Sequence, residues 1–343
     1  FISVAGTLGL VGKIPEWLDG SNLTENADKI TNIKVDGDYA CHWLRSERIQ
    51  TEIALQSTVG AQPKLALGRI ENFPIPLPPT DYEQKAIATA LSDMDELIAG
   101  LEALIAKKRD LKTATMQQLL NGKTRLHGFK DPWPETSLNE ITTFRSGVGF
   151  PVNLQGDTTS KTPFFKVSDF NHAENKKWMT VSKNYLSDEV MKIHNFYFFP
   201  ANSIIIAKIG AAVFLERKRI LRINSIIDNN MMAAMPSEEI STEYLYHFLS
   251  TIDFATFVRQ GAVPSVNQSD LSSIKIVLPD KAMQNKICNV LDGYEDTISQ
   301  LLSKNIRNIL QFDSQIFNLY FNSNYVIIFA FYIFIIAGFW GFG

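Results

Sequence analysis

The chain has 343 residues, a formal net charge of −3 and 45% hydrophobic residues. This composition excludes wholesale disorder, and its two distant cysteines, Cys41 and Cys288, exclude a disulfide scaffold. The length predicts two domains, and the near-neutral charge means that any nucleic-acid binding depends on local basic patches. Two unpaired thiols fit a reducing cytoplasm.

An internal repeat organises the chain. Gly60-Ala61-Gln62-Pro63 recurs as Gly261-Ala262-Val263-Pro264 at an offset of 201 residues. The further matched pairs, with small slips, include Tyr39 with Tyr244, His42 with His247, Ile75 with Ile276, Gln84 with Gln284, Ile87 with Ile287 and Leu91 with Leu291. The repeat predicts two copies, each with a globular part, an apolar-proline strand and a long helix.

The first copy begins abruptly. The chain opens on Phe1-Ile2-Ser3-Val4-Ala5, which is typical of the middle of a strand and carries no initiator Met and no signal-peptide pattern. Phe1 aligns near Ile205 of the second copy. We therefore expect the first copy to have lost its front half and the chain to be a fragment or a truncated reading frame.

A first long helix is predicted over residues 80–122. Thr80-Asp81-Tyr82-Glu83 is a capping box with Thr80 at the N-cap, and Asn121-Gly122 supplies a left-handed stop. Apolar residues follow at alternating spacings of four and three, a heptad seam typical of helix pairing. They are Ile87, Leu91, Met94, Ile98, Leu101 and Ile105.

The second copy follows with a globular part over residues 123–279. Short apolar runs at 163–167, 196–200 and 203–207 predict strands, and a helical stretch is predicted over 242–258. Strands and helices without a regular alternation indicate an α+β domain.

A second long helix is predicted over residues 280–321, with Asp280 as its N-cap. Its seam becomes irregular near Asn305 and Asn308 and consists of Ile287, Leu291, Tyr294, Ile298 and Leu301. Ordinary core packing is the alternative for both seams. A lone helix of about 60 Å has no local core, however, so we expect the two helices to pair with each other in antiparallel orientation.

Catalytic and metal-binding signatures are missing from the sequence. No phosphate-binding glycine loop and no zinc-ligand spacing occurs, so we expect no catalytic residue, no metal and no cofactor. Glu174-Asn175-Lys176 with Asp169 resembles a nuclease cluster only faintly. His42 and His247 lie among apolar residues of predicted helices, and we expect both side chains to have structural roles.

Basic and amide side chains in the second globular part are candidates for DNA contact. Arginine and lysine contact phosphates, and arginine, asparagine and glutamine also read base edges. The alternative for each residue is a solvated surface side chain. The candidates are Arg145, Lys161, Lys166, Lys208, Arg217, Lys218, Arg219, Asn229, Asn230 and Gln268.

These motifs together resemble the specificity (S) subunit of type I restriction-modification systems. The proline-rich strand Ile75-Pro76-Leu77-Pro78-Pro79 runs into a helix that begins Thr80-Asp81-Tyr82-Glu83-Gln84. That helix ends in Met116-Gln117-Gln118-Leu119-Leu120-Asn121-Gly122-Lys123, and both Gly60-Ala61-Gln62-Pro63 and Gly210 also fit the family's target-recognition domains. The second copy matches less well, because Leu278-Pro279-Asp280 has one proline.

The resemblance implies an α+β fold with two target-recognition domains, the first incomplete, separated by two long antiparallel coiled-coil helices. It implies a cytoplasmic, non-catalytic subunit that reads half-sites of a bipartite double-stranded DNA target. It also implies partner methyltransferase (modification) subunits and a restriction/translocase subunit, with no small-molecule substrate. The expected segments are 1–79 and 123–279 for the two domains, 80–122 and 280–321 for the helices, and 322–343 for an apolar tail.

Two other classes of function remain open on the sequence. The clean heptads also fit a coiled-coil adaptor whose globular parts bind proteins. The tail at 322–343 is almost wholly apolar, which fits a membrane tether, although out-of-frame translation after Phe321 is the interpretation we favour.

Overall fold

The structure is a computed structural model, and it forms two compact units. It describes residues 1–58, 63–128, 132–215, 217–258 and 264–321, with side chains up to residue 306. The first unit comprises Phe1–Ala106 and the segment from Ser299 onward, and the second comprises Lys107–Ile298. The limits of both units lie inside the long helices, so each unit contains part of each helix.

The first unit is mainly helical in its described residues. Its elements are β1 (Ile2–Ser3), β2 (Ala27–Asp28), α1 (Gly37–Arg45), α2 (Glu47–Gln56), α3 (Leu67–Ile70) and the start of α4 (Asp81–Leu120). Strands β1 and β2 pair antiparallel, with Ile2 opposite Asp28. Its core packs Ile2 and Leu65 with Trp43 of α1 and Ile49 of α2. That this copy has lost its front half stays a prediction.

Local sequence signals place the ends of α4 correctly. The Thr80 hydroxyl accepts a hydrogen bond from the Glu83 N–H at 3.1 Å, which confirms the predicted N-cap. Beyond the helix, Gly122 has a φ of 65°, the left-handed conformation predicted there.

The second unit is an α+β fold. Its elements are β3 (Glu135–Ser137), α5 (Leu138–Ile141), β4 (Thr142–Ser146), β5 (Thr162–Phe165), β6 (Trp178–Met179), β7 (Tyr185–Leu186), α6 (Asp188–Ile193), β8 (Ile204–Ala207), β9 (Lys218–Leu221), β10 (Ile226–Ile227), β11 (Met231–Pro236), α7 (Thr242–Ser250), α8 (Gln268–Ser272), β12 (Lys275–Val277) and the start of α9 (Lys281–Phe321). The predicted helical stretch over 242–258 is shorter than expected, because α7 ends at Ser250 and a separate 3-10 turn covers Phe254–Phe257.

A five-stranded sheet in the order β4-β11-β8-β9-β6 forms the centre of the second unit. Alternate residues of β8 enter different cores: Ile204 and Ile206 pack with α7, and Ile205 and Ala207 pack toward β5 and β10. Both faces of the sheet are therefore buried, which explains why β8 is a continuous apolar run rather than an alternating one.

The other two predicted strands of this unit have different outcomes. The run at 163–167 corresponds to β5, whereas 196–200 forms no named strand. Within it only Phe199 makes an isolated bridge, to Ser225. The physical reason is that its aromatic rings diverge: Phe199 is buried beneath the five-stranded sheet, and Phe196 packs edge-on against Phe164 in a separate cluster.

Helices α4 and α9 pack together within the second unit. The cluster that joins them contains Met116, Leu119, Leu120, Met283, Ile287, Cys288 and Leu291. At its edge, Lys112 pairs with Glu295, and the Thr115 hydroxyl donates to the Tyr294 hydroxyl at 3.4 Å. The Asp280 carboxylate accepts from the Met283 N–H at 2.8 Å, which confirms the predicted cap of α9.

The predicted seam residues differ in burial. Ile287, Leu291, Leu101 and Ile105 are buried. The half-buried members are Ile87, Leu91, Met94, Ile98, Tyr294, Ile298 and Leu301. The seam predicted for α4 ends at Ile105 and therefore omits Met116, Leu119 and Leu120, the α4 residues that cluster with those of α9 in the second unit.

Candidate nucleic-acid interface

The same glutamine contact joins the globular part of each unit to its long helix. In the first unit, the Gln84 side-chain oxygen accepts from the main-chain N–H of Asp36, the N-cap of α1, at 2.9 Å. In the second, Gln284 accepts from the N–H of Ser241, the N-cap of α7, at 2.7 Å. The repeat read from the sequence is therefore repeated in hydrogen bonding.

A histidine forms a second contact with the helix in each unit. The His42 Nε2 atom lies 3.0 Å from the Ser92 hydroxyl, and the His247 Nε2 atom lies 3.1 Å from the Asp292 carboxylate. Lys177 donates to the same carboxylate at 2.8 Å. The His247 hydrogen bond, followed by Lys177, lowers the pKa of Asp292 to about 2. Both histidines are thus structural, as predicted.

The strand pairing next to these glutamine and histidine contacts also recurs in the two units. Ile2 faces Asp28 across β1 and β2, and Ile206 faces Met232 across β8 and β11. The Val4 N–H donates to the Asn26 carbonyl at 2.8 Å, as the Lys208 N–H donates to the Asn230 carbonyl at 2.9 Å. Strand β8 and its neighbours are therefore the element of the second unit that corresponds to the start of the chain.

Four candidate DNA-binding residues meet at one end of the five-stranded sheet. Lys208 directly follows β8, and its ammonium group donates to the Ser146 hydroxyl at 2.9 Å. Ser146 is the neighbour of Arg145 on β4. The Lys208 N–H donates to the carbonyl of Asn230, just before β11. The Gln268 side-chain N–H donates at 2.6 Å to the carbonyl that precedes Arg145. Residues distant in sequence thus share one surface because β4, β11 and β8 are neighbours.

The Arg145 side chain is oriented by an aromatic ring. Its guanidinium carbon lies 3.2 Å from the centroid of the Tyr197 ring, a cation–π contact. The Tyr197 hydroxyl in turn donates to the Ser146 carbonyl at 2.6 Å, which fixes the ring beside β4. Sequence reasoning missed Tyr197, because it belongs to the aromatic run that was interpreted as a strand.

The loop between β10 and β11 brings two more candidates to this end of the sheet. Asp228 pairs with Val148 after β4, and its N–H donates to the Phe165 carbonyl at 3.0 Å, next to Lys166. Burial raises the pKa of the Asp228 carboxyl, which accepts from the Asn230 N–H at 2.9 Å. We name the resulting set the sheet-end surface. Its members are Arg145, Lys166, Lys208, Asn229, Asn230 and Gln268.

The remaining candidates lie elsewhere in the unit. Arg217 hydrogen-bonds to the Asn171 side chain, and the Arg219 Nε atom donates to the Asn175 carbonyl at 2.6 Å. Lys218 is buried, with its ammonium group 4.1 Å from the Phe254 ring, and so is not counted in the sheet-end surface. Lys161 is exposed in the loop before β5.

Other chemistry is not assembled in the part of the chain that the structure describes. Among those residues, no group of histidine, cysteine or acidic side chains is placed to hold a metal ion. The Asn175 amide of the faint nuclease motif is buried and donates to the carbonyls of Asp169 and Val181. No described helix has an apolar stretch long enough to cross a membrane, and the tail at 322–343 lies outside the described residues.

Comparison with known proteins gives matches over most of the chain. A family model described as "Type I restriction modification DNA specificity domain" matches residues 2–107 and 130–311. The EcoR124I/EcoR124II specificity subunit of a type I restriction enzyme from Escherichia coli is 23% identical over 276 residues. That match covers 78% of this chain and 65% of the relative, so the chain spans a little less than two thirds of the relative's length.

Solved structures share the fold. The S subunit of a type I restriction-modification system from M. genitalium matches with a TM-score of 0.57 and 17% identity, over 91% of this chain and 80% of that one. A chain from a structural study of complex assembly and conformational transition in the type I R-M system matches with a TM-score of 0.55 and 17% identity, over 82% of this chain and 69% of that one. These matches show a mixed α+β fold with α4 and α9 packed together.

Proposed function

Since the chain belongs to the Type I restriction modification DNA specificity domain family, we propose that it acts as the DNA-specificity subunit of a type I restriction-modification system. In this role the chain binds duplex DNA and carries out no chemical step itself. The proposal places it in the cytoplasm, where its two thiols stay reduced.

The observation that carries this proposal is the sheet-end surface. It combines three basic side chains with three amides, and strand order rather than sequence proximity assembles them. Lysine and arginine neutralise phosphates and fix the register of a protein on DNA, whereas asparagine and glutamine form paired hydrogen bonds with adenine. One surface thus carries groups for affinity and groups for base readout, which a protein-binding adaptor does not need.

We further propose that the globular parts are target-recognition domains that each read one half of a bipartite site. Helices α4 and α9 would separate them and run antiparallel, which the pairings of Lys112 with Glu295 and Thr115 with Tyr294 support. Helix α4 has 40 residues and is therefore about 60 Å long, comparable with one to two turns of duplex. Methyltransferase subunits and a restriction/translocase subunit are the proposed partners, docked along these helices.

Salt dependence of duplex binding tests the proposed function. We expect the affinity of the chain to fall as salt rises, and Arg145→Ala and Lys208→Ala each to reduce the slope of log affinity against log salt by about one. The measurement is fluorescence anisotropy of a labelled mixed-sequence duplex over a salt series. Arg222→Ala is the matched control, because Arg222 is an exposed arginine that directly follows β9. It lies at the end of the strand opposite to the sheet-end surface.

The outcomes separate the classes of function. A coiled-coil adaptor predicts no salt-dependent affinity for any duplex. Equal slopes for Arg145→Ala, Lys208→Ala and Arg222→Ala would mean that DNA is bound by another surface, and would overturn the assignment of the sheet-end surface.

A further inference from the structure

Two adjacent apolar side chains protrude from the loop between β8 and β9. Phe214 is 52% exposed and Leu215 is 59% exposed. A single exposed apolar side chain is normal on a protein surface and requires no explanation. Two large ones in sequence on one loop are a feature that the DNA contacts described above do not use.

The start of the loop is held in place by a main-chain contact with a segment distant in sequence. The Gly210 N–H donates to the Pro264 carbonyl at 2.8 Å, and Gly210 has a φ of 76°, which an L side chain rarely adopts. A 3-10 turn follows, and its last residue, Val213, is buried in the core beside α7. With Val213 anchored inward, the chain carries Phe214 and Leu215 at its outer side.

The loop begins at the sheet-end surface. Lys208, a member of that surface, lies two residues before Gly210 and is hydrogen-bonded to Ser146. Arg217, at the other end of the loop, is engaged with the Asn171 side chain and does not belong to that surface. The loop that carries the apolar pair therefore starts at a surface cation, Lys208, that can hold a DNA phosphate.

The first unit repeats the glycine contact and an exposed apolar residue, although Val4 stands at the position of Lys208. Its Gly6 has a φ of 74°, and the Gly6 N–H donates to the Pro63 carbonyl at 3.2 Å, as Gly210 does to Pro264. The shorter loop that follows ends on Leu10, which is 58% exposed. An apolar side chain thus protrudes beyond the same glycine in both copies, although the loop sequences differ.

We propose that Phe214 and Leu215 form an apolar tip that contacts DNA bases while Lys208, at the start of the loop, holds a neighbouring phosphate. Apolar side chains make such contacts against thymine methyl groups or as wedges between base steps. The proposal rests on the proposed function and extends it, because it assigns part of the affinity to groups that carry no charge. Leu10 is the corresponding tip of the first unit.

The test separates apolar contact from electrostatic attraction. The probe is the set of duplexes that the unmodified full chain enriches from a randomised pool. Phe214→Ala should weaken binding of these duplexes about tenfold and leave the salt slope unchanged, since no phosphate contact is lost. Ile223→Ala is the matched control, because Ile223 is 50% exposed in the turn at the opposite end of β9 and should not affect binding.

A second variant reports the contact directly. Phe214→Trp should keep the affinity of the unmodified chain, and the tryptophan emission of the variant should change on DNA addition beyond the change seen for the unmodified chain. Normal affinity of Phe214→Ala, or no additional emission change in Phe214→Trp, would overturn the apolar tip while leaving DNA binding intact. Failure of the proposed function would differ, because the unmodified chain would then enrich no duplex.

Discussion

Gln284→Ala should lower the free energy of unfolding by about 3 kcal/mol, because it leaves buried main-chain groups without partners. Gln284 is fully buried, and its amide donates to the Glu239 carbonyl at 3.0 Å and to the Pro279 carbonyl at 2.8 Å. Its oxygen accepts from the Ser241 N–H. Urea unfolding followed by circular dichroism measures the loss.

Gln84→Ala is the matched control in the first unit. Gln84 makes one short bond, to the Asp36 N–H, and one long bond of 3.4 Å to the Pro78 carbonyl. Gln84→Ala should therefore lower the free energy of unfolding less, by about 1 kcal/mol. Equal losses for the two variants, or a negligible loss for Gln284→Ala, would show that the glutamine contact does not hold the second globular part on its helix.

Asp292→Ala should be the second most destabilising change, with a loss of about 2 kcal/mol after allowance for the partial exposure of the carboxylate. It leaves Lys177 without its ion-pair partner and the buried His247 without the only hydrogen bond found for its ring in the described residues. Asp292→Ser is the informative companion, because Ser92 holds the corresponding position beside His42 in the first unit. It should recover part of the loss.

The stability difference between the unmodified chain and Asp292→Ser should also depend on pH. The folded-state pKa of Asp292 is about 2, below the ordinary value of 3.8, so the ionised carboxylate stabilises the fold above about pH 4. That contribution disappears as the pH falls from about 4 to about 2. Urea unfolding at a series of pH values should therefore show the difference narrowing over this window. A difference that stays constant would contradict the assigned ion pair.

Signals that act over a few residues were readable from the sequence. Thr80 and Asp280 cap their helices because a cap needs only the side chain and the N–H three residues later. Gly122 ends α4 for an equally local reason. The repeat found in the sequence is also present in the structure, because Gln84 and Gln284 accept equivalent hydrogen bonds.

Features that depend on strand order were not readable. Lys208 and Arg217 are close in sequence, yet the neighbours of β8 place Lys208 beside Arg145, whereas Arg217 bonds to Asn171. Lys218 carries a charge that sequence reasoning assigned to the surface, but its position on β9 turns it toward Phe254. Which of the basic residues share a surface was therefore not predictable from the sequence.

Selection from a randomised duplex pool decides whether this chain reads a DNA sequence. We expect the full chain to enrich a defined base motif, and Gln268→Ala or Asn230→Ala to change the enriched bases more than the salt slope. Sequencing of the bound fraction after several rounds is the readout. A bound fraction that cannot be distinguished from the input pool would contradict sequence-specific recognition by this chain.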